Sequence, residues 1–422
     1  MSSMRDKVAA LSAKLSGKKK KRGGGDASST AKRSKSDADP SARYLANPLT
    51  APIVQRWHAY FRSRLATPPR VFVGPKTGWR GVAKLAARRV NGRVLLGLFA
   101  PGTHDVVTSA STSAAHAPAL NTAIKAVEAA LAEERIYANG AAEGDGSVSY
   151  VGLAHESTTD RVQVVVVVNG DDAAPARRVR ARLEGRGWLH SFFAHLNPVS
   201  RHDNAIYGRG GPETWRPLPQ GTCANFACTA GQCVQEAPLG VGLFFAPACF
   251  RQANLAQFAE IVRAIQKAVP KNARVVELYG GVATIGAHLL ERAARVRCSD
   301  ENPWNAACVD LLKQGLDEAL AEKLSYETAP AAVVARRGDL AHADVIVVDP
   351  PRKGLCADVL KALLRPAPKP RKLVYVSCGF DALQRDLAAL VAGRWRLDRV
   401  EGHVLFPGAD HVETLAVLDE GG

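Results

Sequence analysis

Cysteine is absent from the first 220 residues, and nowhere in the chain do two cysteines form a C-x-x-C pair. The first absence argues against a secreted disulfide framework, the second against a zinc ribbon. No apolar run approaches the roughly 18 residues that a membrane helix needs. A soluble protein of a reducing, intracellular compartment is therefore expected, with nucleus, cytoplasm and organelle all left open. Eight cysteines do occur, at 223, 228, 233, 249, 298, 308, 356 and 378. Cys223, Cys228 and Cys233 recur every five residues, an uncommon ligand spacing. With Cys249 they could in principle hold a metal or cluster, but no metal is expected.

What the chain has in plenty is length and positive charge. At 422 residues it exceeds one ordinary domain. Its formal net charge is +16, with a pI near 9.6. Residues 1–40 hold 11 Lys and Arg against 4 Asp, which gives +7 and leaves +9 for the other 382 residues. Such a balance favours a polyanionic partner, of which nucleic acid is the commonest. The plain alternative is a solvated basic tail on a neutral enzyme.

Three regions follow from composition. Residues 1–42, rich in Lys, Ser, Gly and Ala, read as a disordered basic tail. Lys18–Arg22 with Lys32, Arg33 and Lys35 suit a nuclear signal, an RNA-gripping arm or part of a transit sequence. Residues 43–249 read as an α+β central domain for substrate binding. It comprises a short helix within 44–67, strands over 70–108 with a hairpin at Asn91-Gly92, a helix at 117–137, strands at 147–154 and 161–169, and a basic helix at 177–187. Arg70, Lys76, Arg80, Lys84, Arg88, Arg89 and Arg93 interleave with Phe72 and Trp79. They suit either an RNA platform or a polar outer face.

From 250 to 422 the pattern becomes alternating helices and strands, beginning with an amphipathic helix over 250–269. Strands are expected at RVVELYG, RVRCSD, VVARRG, ADVIVVD and KLVYVSC. Helices are expected from about 284, at 304–320, near 355–365 and near 381–392. Two last strands, 395–405 and 412–418, close the chain as a hairpin. Alternation gives a doubly wound parallel sheet, and the hairpin makes it a seven-stranded, Rossmann-like methyltransferase variant.

Within that frame the stretch 343–378 is central. Its first strand ends at Asp349, where Pro350 and Pro351 forbid continuation, and its second ends at Cys378. Asp349, Arg352 and Cys378 then share the crevice at the carboxyl ends of the strands, where open α/β sheets bind ligands. A plain alternative for Cys378 is a buried small apolar residue. The loop ELYGGVATIG opens a helix after the first strand, so backbone can approach a ligand closely. Asp300, some 20 residues on, is placed to accept from ribose hydroxyls. The full G-x-G-x-x-G pattern that pyrophosphate needs is missing. A nucleoside cofactor without phosphates fits better, and S-adenosylmethionine is the obvious one.

Residues 250–418, about 40% of the chain, resemble the RNA uracil-C5 methyltransferases, the family of the tRNA and 23S rRNA 5-methyluridine enzymes. FRQANL (250–255), ELYGG (277–281), DPPRKG (349–354), YVSCGFDALQRDL (375–387) and FPGADHVE (406–413) carry the resemblance. The stretches LGLFAPGTHDVV and HAPALN look, more weakly, like the family's central domain. The resemblance implies a monomeric, RNA-binding enzyme without membrane attachment. By it, Cys378 attacks carbon 6 of uracil as a thiolate, making carbon 5 nucleophilic. Glu413 removes the carbon-5 proton, with His411 as its rival, and Arg352 stabilises charge on the ring oxygen. Asp349 binds the uracil edge or the cofactor. Gln252, Glu277, Tyr279, Gly280, Gly281, Thr284 and Asp300 fall at the cofactor positions. The bland reading makes Tyr279 a core aromatic, Thr284 a helix cap and Gln252 a surface amide.

This chain departs from the family's pattern in several places. Gly280 stands for the usual cysteine, Ala283 for a glycine, and Gly379 and Phe380 for an asparagine and a proline. There is no clear N-terminal RNA-binding barrel and no four-cysteine motif ahead of the central domain. A methyltransferase-like RNA-binding scaffold without catalysis is the competing class. Retention of Cys378, Glu413, Asp349 and Arg352 together argues against it. A small-molecule methyltransferase would need neither the basic tail nor the cysteine, and a cytosine-C5 enzyme would set its cysteine after a proline.

Overall fold

The computed structural model describes residues 42–100, 103–106, 108–136, 147–197, 206–207, 210–219, 226–365 and 370–421. The basic tail up to residue 41, and Cys223, lie outside them.

The larger of two main sheets holds β10 (Arg274–Leu278), β11 (Arg295–Asp300), β12 (Leu324–Thr328), β13 (Val345–Val348), β14 (Lys372–Ser377), β15 (Trp395–Val404) and β16 (Glu413–Glu420). Their order, β15-β16-β14-β13-β10-β11-β12, is parallel except for β16, which runs antiparallel to both neighbours. This is the expected seven-stranded methyltransferase arrangement. Alternate residues of the central strands feed opposite cores: Val345, Val347, Val374 and Val376 face one side, and Ile346, Val348, Leu373 and Tyr375 the other. The first side is covered by α4 (Leu255–Ala268) and α5 (Trp304–Gln314), followed by the short α6 (Glu318–Lys323). The second is covered by α7 (Ala331–Arg336), α8 (Ala357–Leu363) and α9 (Phe380–Gly393).

An eighth strand extends this sheet from far upstream. β1 (Arg70–Val73) pairs in parallel with β15, Phe72 beside His403. Ahead of it α1 (Pro52–Arg62) starts on Pro52 and buries Val54, Trp57 and Phe61 at helical spacing. The Trp57 indole donates to Thr414 Oγ1 at 2.9 Å, and its ring occupies the space that a side chain at 402 would fill. Residues 52–73, expected in the central domain, thus belong to the larger sheet and its core. The reason is physical: the β15–β16 hairpin has two apolar faces, and Val54, Trp57 and Phe61 of α1 join the core on one of them.

The second sheet has the order β3-β2-β4-β5-β6-β7, built from β2 (Val82–Val90), β3 (Arg93–Gly97), β4 (Val148–Glu156), β5 (Arg161–Asn169), β6 (Leu189–Asn197) and β7 (Trp215–Leu218). Asn91 and Gly92 take the positive φ values of a tight hairpin turn between β2 and β3, as expected. Helices α2 (Pro118–Glu133) and α3 (Ala174–Arg182) bury one face of it. From the other face Val165, Phe193 and Trp215 join the core of the larger sheet. The interleaved basic and aromatic run is therefore split. Arg70 and Phe72 sit in the larger sheet, while Lys84, Arg88, Arg89 and Arg93 sit in the second.

Residues 250–254 tie the two sheets. The buried Arg251 guanidinium donates to the carbonyls of His155 (2.6 Å) and Gly81 (3.3 Å) and pairs with Glu236 at 3.0 Å. Breaking a buried pair of this kind costs about 3–5 kcal/mol, because the remaining charge is left uncompensated. The helix expected from 250 accordingly starts only at Leu255, capped by the Asn254 side chain, which accepts from Gln257 N. Two further expectations are corrected. VVARRG is helical (α7), its Val334 and Ala335 buried on one side, and the strand is the preceding LSYET (β12). The helix expected from about 284 is a single 3-10 turn, Gly286–Leu289, pinned where Gly286 N donates to Glu277 Oε2 at 3.0 Å.

Candidate active site

Strand register assembles the site. β13 ends beside Tyr375 of β14, and Ser377 at the end of β14 pairs with Thr414 of β16. One step further along brings Cys378 abreast of Glu413. Leu278 pairs with Val348 on one side and Ser299 on the other, so Tyr279 lies between Asp349 and Asp300. Five neighbouring strands thus present Asp300, Tyr279, Asp349, Cys378 and Glu413 in a row along one end of the sheet. Pro350 and Pro351 turn the chain back so that Arg352 reaches the same place. The Arg352 backbone lies so near Gly379 that a Cβ there would overlap its carbonyl oxygen. Glycine at 379, where the family pattern has asparagine, is what this close approach requires.

Gly379 has φ −116°, which alanine tolerates, so its substitution tests sterics alone. Gly379→Ala should push the 350–353 loop off the thiol, cost about 1–3 kcal/mol of stability as an overpacked contact, and lower turnover far more. Thermal melts and initial rates measured together check this. Full turnover at unchanged stability would show that the loop is not held there.

Three acidic groups and one cation share this pocket. Burial pushes the Cys378 thiol up to about 11, Glu413 and Asp349 adding to the effect and Arg352 opposing it. Burial likewise raises Asp349 to about 7. Glu413, 2% exposed, is driven well above the carboxylate range by burial and then by Asp349, against Arg352. His411 is lowered to about 4 by burial and by Arg352, Asp410 opposing. The thiol and the two carboxyls cannot all ionise beside a single guanidinium, so protons are shared among them. Glu413 Oε1 and His411 Nδ1 are buried without a partner among the described residues.

The shift at Asp349 has a stability consequence. Its carboxyl stays protonated in the folded chain while the unfolded chain ionises near 3.8. That contribution to stability is whole below about pH 4 and is lost as pH rises towards 7. Asp349→Asn should therefore melt higher than the parent at pH 8, with the gap closing at pH 4. Parallel pH profiles of the two melting temperatures would refute the burial of an acid there.

The glycine loop lies beside Asp300. Asp300 Oδ2 accepts from Gly281 N at 3.0 Å, and its Oδ1 accepts from Asn302 N and the Asn305 side chain. The Tyr326 hydroxyl, which no sequence motif marked, donates to Gly281 O at 3.1 Å. Tyr279, Gly281 and Ala283 all have positive φ, so the loop is a tight curl. A side chain at 280 would collide with Cys298 Sγ and Glu277. The volume of the cysteine absent from 280 is thus supplied by the thiol at 298. Burial raises Glu277 to about 7, against the Cys298 and Gly286 hydrogen bonds, and its Oε2 accepts from Gly286 N just past the curl. Thr284 lies within the curl, its carbonyl accepting from His288 Nδ1. Gln252 is half-buried beside Arg251, on the segment that leads into α4.

Cys228, Cys233, Cys249 and Cys308 meet in the core, Cys249 Sγ lying 3.7 Å from Cys308 Sγ. Among the described residues, no group of three or more His, Cys, Asp or Glu is disposed to hold a metal ion.

No family model matches the chain. An uncharacterised RNA methyltransferase of Protochlamydia amoebophila is 28% identical over 360 residues, covering 83% of this chain and 88% of that protein. Another, from Lactobacillus johnsonii, is 26% identical over 355 residues, with 82% and 72% covered. The chain is thus similar to RNA methyltransferases along most of its length. Its fold matches that of the Pyrococcus abyssi tRNA (uracil-54, C5)-methyltransferase, crystallised with S-adenosyl-L-homocysteine. The TM-score is 0.67 at 22% identity, over 87% of this chain and 82% of that one. The family likeness thus runs well beyond residues 250–418 and takes in the second sheet.

Proposed function

We propose that this enzyme transfers a methyl group from S-adenosylmethionine to carbon 5 of a uridine in RNA. Cys378 acts as nucleophile and Glu413 as base. The observation that carries the reading is the register that sets a thiol abreast of a buried carboxyl, with Asp349 and Arg352 beside them.

The crevice fits the cofactor. Its curl of backbone at Tyr279, Gly280 and Gly281, its Thr284 and its Asp300 carboxylate match the polar edges of a nucleoside, and it offers no cradle for pyrophosphate. Glu277 supports the curl from below, while Gln252 and Asp349 would close the two ends. When bound, S-adenosylmethionine supplies an electrophilic methyl group on a sulfonium.

The chain's own groups do the rest. The Cys378 thiol gives its proton to a neighbouring carboxylate and its sulfur bonds carbon 6 of the base. The charge moves onto the ring oxygen near Arg352, leaving carbon 5 nucleophilic. After carbon 5 is methylated, Glu413 takes its proton, the carbon–sulfur bond breaks, and Cys378 departs as thiolate. A thiol held near 11 suits this sequence. Negative charge spends little time on sulfur until a base arrives to accept it.

The test is direct. Purified protein, methyl-labelled cofactor and RNA are incubated, and the RNA is digested to nucleosides. Label in 5-methyluridine is expected. Label confined to another nucleoside would overturn the uridine assignment, and no label in RNA would overturn the whole reading.

A further inference from the structure

The two ends of the 74–81 linker lie in different sheets, and between them Trp79 is 8% exposed. Its indole Nε1 has no hydrogen-bond partner among the described residues. Two other buried indoles are satisfied: Trp57 donates to Thr414 Oγ1 at 2.9 Å and Trp395 to Leu363 O at 3.0 Å. A buried N–H left without an acceptor is destabilising and calls for an explanation.

Its surroundings suggest one. The Trp79 ring lies 5.4 Å from that of Phe406, and Phe406 lies 4.8 Å from the His411 imidazole. The Arg80 guanidinium covers both aromatic rings, at 4.8 and 5.7 Å from their centroids. Phe406 opens the loop that ends at Glu413, so the stack leads from the linker into the catalytic pocket. Along this row three buried polar atoms lack partners: Trp79 Nε1, His411 Nδ1 and Glu413 Oε1. Orphaned groups at both ends of this stack, walled by flat rings and a cation, match a nucleotide. A pyrimidine offers a face to stack and carbonyl oxygens to accept, and its phosphate is anionic.

We propose that Trp79 contacts the target nucleotide, its indole N–H donating to an oxygen acceptor of that nucleotide once the Trp79–Phe406 stack has parted to admit it. The inference rests on the uridine reading and extends it, because the linker between the sheets then completes the base pocket.

Trp79→Phe keeps an aromatic ring against Phe406 and removes only the donor. The expected result is kcat/KM for RNA lowered roughly tenfold or more, KM for the cofactor unchanged, and a melting temperature equal to or above the parent's. Addition of RNA should change the fluorescence of the parent and leave that of the variant nearly unchanged. A variant as active as the parent would make the orphaned indole a packing defect and overturn the inference alone. Should the variant melt lower, rates taken well below its melting point still decide. Parental kcat/KM there overturns the inference, and a tenfold loss with unchanged cofactor KM supports it. A parent protein that puts no methyl on uridine removes the uridine reading and this inference with it.

Discussion

Cys378→Ala is expected to lose methyl transfer to RNA by more than about a thousandfold, the scale seen when one member of a catalytic unit is removed. Cofactor binding should survive, because the thiol lies two strands away from the Tyr279 curl and three from Asp300. The loss should not trace to unfolding, since the thiol is only half-buried. Equilibrium binding of labelled S-adenosylmethionine and single-turnover methylation, measured on the same preparation, check both halves. Residual methylation within tenfold of the parent would mean that another group is the nucleophile.

The second large effect belongs to Glu413. If it takes the carbon-5 proton, methylation precedes its action, and its loss leaves the protein joined to RNA that already carries the methyl group. Glu413→Gln keeps shape and hydrogen bonding while removing basicity. A labelled band containing protein and RNA should then accumulate on a denaturing gel. The same band should be missing from a Cys378→Ala, Glu413→Gln double variant. His411 is the weaker candidate on this structure. With its imidazole held near 4 it would carry a proton only about one time in a thousand at pH 7. Glu413, raised instead of lowered, has the greater proton affinity of the two. Free methylated RNA released at the parental rate by Glu413→Gln would sink the assignment and the elimination step together.

Much of this site could be read from the chain because parallel strands announce their ends. The apolar run of β13 stops at Asp349 before two prolines, and that of β14 stops at Cys378. The order of the strands then follows from few topologies. The departures also had local causes. LSYET, an edge strand with one polar face, has no continuous apolar run, whereas VVARRG shows two adjacent valines. α1 and β1 fall beside the neighbouring domain in sequence, and sequence distance says nothing of which apolar face is left uncovered. Trp79 was visible as an aromatic among basic residues. Only its packing on Phe406 shows that it turns away from solvent, a long-range fact with no periodicity to betray it. The contribution of Cys298 at position 280 is of the same kind, one strand supplying volume that another lacks.

The segment that carries α1 does more than cover the hairpin. Tyr44 N donates to Gly408 O, Ile53 N to Asp410 Oδ1, and the Trp57 indole to Thr414, so three bonds from the early chain clasp the loop bearing Phe406 and Glu413. Every stretch that carries the stronger resemblance lies after residue 249, yet part of the scaffold of the loop leading to Glu413 is laid down before residue 60. A fragment beginning at 250 would contain the full signature of the family and still leave β15 a bare edge and that loop unclasped. In such a protein the smallest piece that matches a family and the smallest piece that can work are different lengths of chain.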